Sequence, residues 1–225
     1  MDAGGASRVF LVQGLQADVT LRQMTITGGQ AAGDQPYGGG ISADNGTMLT
    51  LDQVSVLDNV SHSSGGGIWA YDATLINSIV SGNNAGFRGG GISSSSFGHV
   101  TLINSTVSDN RASYGGGGGV YASHAALTNS TVDGNTTSGP GGGVQADDAI
   151  VVNSTIAGNS TTGDGDGTFD LSAGGGGIFG NINVTLINST VSGNSTTGTY
   201  AAGGGIGLRS GFSFGGLSIA NSIVA

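Results

Sequence analysis

Apolar and polar residues alternate in short stretches, and the same alternation keeps returning along the chain. Ala73 and Leu75, Val100 and Leu102, Ala125 and Leu127, and Ala149 and Val151 each stand two apart, with Thr74, Thr101, Ala126 and Ile150 between them. That is period two, which predicts strands with one face inward and one outward. Each such stretch runs into a bend at Gln23, Gln53, Asn77, Asn104, Asn129, Asn153, Asn188 or Asn221. A shorter apolar set follows the bend, placing Val80, Val107, Val132, Ile156 and Val191 inside. No apolar pattern at helical spacing persists, and strong helix formers are scarce.

Between the bends runs a second recurring unit, a glycine triplet followed by Ile or Val. It begins as Gly38-Gly39-Gly40-Ile41 and Gly65-Gly66-Gly67-Ile68, and ends as Gly203-Gly204-Gly205-Ile206. The bend positions are separated by 30, 24, 27, 25, 24, 35 and 33 residues. Self-similarity at such a period marks a solenoid, because each unit buries its apolar face only by stacking on its neighbours. The predicted fold is therefore all-β: a parallel β-helix of about eight coils with three short strands per coil, forming one domain over residues 1–225. Stacking brings like positions together every ~4.8 Å. Asn77, Asn104, Asn129, Asn153, Asn188 and Asn221 would then form an asparagine ladder, with a second column six residues on, from Asn59 to Asn194. The glycine triplets would supply a third corner, where the backbone needs a positive φ or close approach between coils.

Composition changes the picture in two ways. Glycine makes up 47 of 225 residues, which by itself suits a disordered chain. The invariable Ile or Val after each triplet argues instead for order. The net charge is −9 with 5 basic residues, all Arg, which removes nucleic-acid binders from consideration because they need a basic face for phosphates. With no Cys, thiolate chemistry and disulfides are excluded. No apolar run is long enough for a membrane-spanning helix, and the first residues do not open a signal peptide. The final residues, Ile219 to Ala225, break off in mid-coil without a polar cap, so the chain is expected to be a segment of a longer protein and to associate end to end through uncapped coils.

The alternation of the glycine motif with Val80-Ser81-Gly82-Asn83, Val107-Ser108-Asp109-Asn110, Val132-Asp133-Gly134-Asn135 and their later copies carries a family resemblance. The chain resembles the right-handed parallel β-helices of the pectate-lyase-like superfold, and within it the repeats of polymorphic outer-membrane proteins and related bacterial surface adhesins. In those repeats a GGA-plus-aliphatic motif alternates with FxxN; here the third small residue is Gly and the aromatic is Val or Ile. The resemblance implies an extracellular, surface-displayed or secreted module with a structural or adhesive role, meeting glycans or proteins of a host or cell surface.

Candidate chemistry is sparse. The lyases and hydrolases of this superfold imply an alternative, a carbohydrate-active or glycan-binding β-helix. Arg8, Arg22, Arg88, Arg111 and Arg209 share no column, however, and Asp44, Asp72 and Asp147-Asp148 are separated by coils without Asp, so no catalytic residues are assigned. Trp69, Tyr71 and Tyr121, with Phe179 further along, face outward by strand parity and would stack on sugar rings. Five residues before the bend, Asp72, His99, His124 and Asp148 would occupy four successive coils, as a metal-holding or proton-sharing row or as an ordinary solvated turn. Asp164, Asp166 and Asp170 alternate with Gly and other small residues in the longest inserted loop, a pattern that suits Ca²⁺ or simply an acidic loop. Thr25-Ile26-Thr27 and Thr106-Val107-Ser108 also resemble the threonine rows of an ice-binding solenoid, though Leu57, Asp133 and Ala157 interrupt them.

Overall fold

The computed structural model describes residues 1–14, 16–43, 46–162, 174–197, 203–209 and 215–225. All the described regular structure is β, and every pairing between strands is parallel. The chain winds into a β-solenoid of about seven turns, close to the expected eight. The register follows the sequence repeat: Ala73, Val100, Ala125, Ala149 and Val184 are direct neighbours on successive coils, as are Leu75, Leu102, Leu127, Val151 and Leu186. Each of these side chains is buried and belongs to one continuous apolar core. Ile41, Ile68, Ile92, Val120, Val144 and Ile178, the residues after the triplets, are fully buried in the same core.

Two details depart from three short strands per coil. In several coils the glycine-led strand and the strand before the bend fuse, as in Val120–Thr128, Val144–Val152 and Ile178–Ile187. In addition, each turn contributes a two-residue strand, such as Asn84–Ala85 or Arg111–Ala112, to a separate seven-stranded sheet. Only small inward residues fit there: Ala31, Ser61, Ala85, Ala112, Thr137 and Thr161.

One rule governs both asparagine bends: a residue in the left-handed conformation points outward, and the residue after it turns inward. At the first bend the left-handed residues are Gln23, Gln53, Asn77, Asn104, Asn129, Asn153, Asn188 and Asn221, with φ between 49° and 57°. Asn tolerates this conformation better than other residues with a side chain. The inward residue is Met24 or Val54 at the first two of these bends and a serine at the rest, and the serines form a ladder of their own. The backbone N–H of Ser78 donates to Oγ of Ser105 at 3.1 Å, that of Ser105 to Ser130, and so on to Ser222. Each hydroxyl in turn donates to the carbonyl two residues back, as Ser105 does to Ile103 at 2.9 Å.

At the second bend the left-handed residue is Asp58, Gly82, Asp109, Gly134, Gly158 or Gly193, and the inward one is Asn59, Asn83, Asn110, Asn135, Asn159 or Asn194. This is the interior ladder. Nδ2 of Asn83 donates to Oδ1 of Asn110 at 2.9 Å, and the backbone N–H of Asn83 donates to the same oxygen at 3.0 Å. Nδ2 also donates to the carbonyls of Val56 and Ser81. The column expected to be a ladder is one too, on the outer surface. Its amides do bond, Asn104 to Asn77 at 3.3 Å and Asn129 to Asn104 at 3.2 Å, but in solvent.

The third corner explains the triplets. The first glycine has φ near +60° to +70° in every copy. A Cβ on the second would collide with a carbonyl of the next coil, as at Gly90 against Gly118. A Cβ on the third would press on the next coil and on the interior ladder, at 2.9 Å from the Gly119 carbonyl oxygen and 3.0 Å from Cγ of Asn110 in the case of Gly91.

Candidate functional site

The outer face before the first bend is built from strands whose register is fixed by the core beneath them. Asp18, Met48, Asp72, His99, His124, Asp148 and Asn183 stand on successive coils, the first five residues before Gln23 and the last five before Asn188. The coil-to-coil match holds although the chain length before the bend varies, because extra residues are accommodated upstream. Within this row Nδ1 of His99 lies 3.1 Å from Oδ1 of Asp72, and Nδ1 of His124 lies 3.2 Å from Oδ2 of Asp148. The two imidazoles stack, with centroids 4.8 Å apart and planes at 16°. Asp72 Oδ1 also accepts the backbone N–H of His99, and Asp148 Oδ1 accepts Nδ2 of Asn183 at 2.6 Å. Beside the row, open grooves run over Thr20, Thr50, Thr74 and Thr101 on one side of the histidines and over Ile150 and Thr185 on the other. Among the described residues no group of three or more His or Asp side chains gathers as a metal-binding set.

The aromatic residues lie at a different corner, next to the glycine triplets. Trp69, Ser93, Tyr121, Gln145 and Phe179 form one registered row. Strand parity does not leave this row open. Ser93 and Gln145 are buried, and Phe179, at 2% exposure, is buried as well. Gly207 on the next coil lets the backbone pass directly over the Phe179 ring. Trp69, Tyr71 and Tyr121 are half-buried. Tyr37, absent from the expected set, packs on Trp69 with centroids 5.2 Å apart. Arg88 lies 4.7 Å from the Phe87 ring and 4.8 Å from the Tyr121 ring, and one of its Nη atoms donates to the Tyr121 hydroxyl at 2.9 Å. Cation–π contacts of this kind hold a guanidinium in place by ~1 kcal/mol each. Tyr37 and Arg88 each immediately precede a triplet, Gly38 and Gly89, and that shared position is the signal that would have found them.

The remaining expected sites are quickly placed. Asp164, Asp166 and Asp170, the proposed Ca²⁺ loop, lie outside the described residues. Thr106, Thr131, Thr155 and Thr190 do stand in register on one outer row, while Asp133 and Ala157 stand in register with Ser108 and Ser192 on the row beside it. No helix of the described residues is long and apolar enough to cross a membrane. The chain matches no known protein family, and no characterised protein or solved structure proved similar to it.

Proposed function

We propose that the chain is a non-enzymatic, surface-displayed or secreted solenoid whose role is structural and adhesive. The observation that carries this reading is the division of labour between inside and outside. The residues that recur along most of the rod, the inner Asn, the Ser and the glycine triplets, make contacts between coils. Outside, an asparagine row and a threonine row repeat, while other rows vary along the rod, as in the succession Asp72, His99, His124, Asp148, Asn183. Such a rod holds a varied surface at fixed spacing. The repeat motifs favour the pectate-lyase-like, adhesin-type form of the solenoid, and right-handed winding is the general rule for parallel strand crossovers.

Beads coated with the folded chain are expected to attach to cell-surface material, and beads coated with unfolded chain are not. Failure of the folded chain to attach would remove the adhesive role, and release of reducing ends or unsaturated sugars from polysaccharide would remove the non-enzymatic one. A second reading, glycan contact through Trp69, Tyr71 and Tyr121, is favoured by the packing of Tyr37 on Trp69 and of Arg88 on Tyr121. It predicts a specific hit on an array of acidic and neutral glycans that Trp69→Ala abolishes.

A further inference from the structure

The geometry points to His99 and His124 as a two-imidazole site for a late first-row divalent cation, Zn²⁺ or Cu²⁺, a site that stands independently of the adhesive reading. Each Nδ1 faces an aspartate, at 3.1 Å and 3.2 Å. An ionised carboxylate has acceptors only, so the hydrogen on each contact belongs to Nδ1. In the neutral rings, the form that binds metal, that contact selects the Nδ1–H tautomer and leaves both Nε2 atoms with a free lone pair. A carboxylate behind the ring nitrogen opposite the metal is the usual support of a ligating histidine, orienting the ring and raising its basicity. Here the supports are themselves held, Asp72 by the His99 backbone N–H and Asp148 by Asn183.

Both imidazoles stand on the same outer face of the rod. The rings are nearly parallel on adjacent strands in direct register, and their side chains are 56% and 49% exposed. One ion at about 2.1 Å from each nitrogen needs them about 3.4 Å apart at tetrahedral angles. Because each lone pair lies in its ring plane, a shared ion requires the stacked rings to open from 16° and tip their outer edges together, for which their exposure leaves room. Imidazole nitrogen suits Zn²⁺ and Cu²⁺, with Cu²⁺ the tighter. Two protein ligands leave the other coordination positions to water or to a donor from whatever binds the rod.

Titrating the metal-free chain with Zn²⁺ by calorimetry should give one tight site per chain, and the Cu²⁺ complex should show two nitrogen donors by electron paramagnetic resonance. His99→Ala and His124→Ala should each weaken binding by about tenfold or more, since each removes one arm of a chelate. His62→Ala, which alters the third histidine, should leave the site unchanged. Asp72→Ala with Asp148→Ala should weaken binding by about tenfold while keeping both nitrogens. Nitrogen-15 spectra of the unsubstituted, metal-free chain should show Nδ1–H at both rings. Nε2–H tautomers, no saturable binding, or binding that survives the loss of both histidines would each overturn the site.

Discussion

Two asparagine columns six residues apart, with equally many copies, do different work. In the inner column the amides from Asn59 to Asn159 are buried and Nδ2 of Asn83 reaches three acceptors, while Oδ1 of Asn110 accepts twice from the coil before it. In the outer column each amide is exposed, single longer bonds join Asn104 to Asn77, Asn129 to Asn104 and Asn188 to Asn153, and the donors point the other way: Asn104 donates back to Asn77, whereas Asn83 donates forward to Asn110. The difference lies in which residue of the bend is left-handed. In the outer column it is the asparagine itself, so the backbone selects Asn for its φ; in the inner column it is the residue before, so burial selects Asn for its hydrogen bonds. One residue type thus answers two separate demands, a conformational one outside and a bonding one inside.

Substitutions can break this contrast in order of size. The largest loss is expected at the glycine corner: Gly90→Ala forces a Cβ into the Gly118 carbonyl and should cost on the order of 3–4 kcal/mol in urea unfolding. Asn110→Ala strips the Asn83 backbone N–H of its acceptor and opens a void beside Gly91, for a loss of about 3 kcal/mol in the same measurement. Ser105→Ala leaves the buried Ser78 N–H without its hydroxyl partner and should cost about 1–2 kcal/mol, with faster amide exchange at Ser78. Smallest is the outer column. Asn104→Ala should cost about 1 kcal/mol for left-handed strain, and Asn104→Gly should restore that loss. A larger loss in Asn104→Gly than in Asn104→Ala would mean that the outer bonds matter more than φ.

The repeat was legible because every coil must present the same inward residues, so Leu75, Leu102 and Leu127 announce both the period and the register. Both asparagine columns were visible by spacing, but spacing does not say which bend turns its asparagine inward. The dipeptides do: Asn104-Ser105 at one bend, Asp109-Asn110 at the other, each a residue that tolerates positive φ followed by one that caps the interior. The Asp72–His99–His124–Asp148 row was readable by counting back from the bend, whereas ring stacking and the aspartate contacts depend on side-chain rotation. The aromatic row was misjudged at Phe179 because parity describes an isolated strand and ignores the corner backbone that crosses above it.

The distance from outer to inner asparagine never changes, while the stretch from the two-residue strand to the next glycine triplet ranges from three residues after Ala85 to thirteen after Thr161. The bends therefore act as a ruler that resets the phase of each turn, and length is free before the triplet and, to a smaller degree, between the triplet and the next bend. Foreign segments grafted before the triplet, between Gly33 and Asp34 for example, where the chain is exposed and open, should ride on the rod at chosen heights without shifting any column, which makes this corner a natural place to write new specificity onto the scaffold.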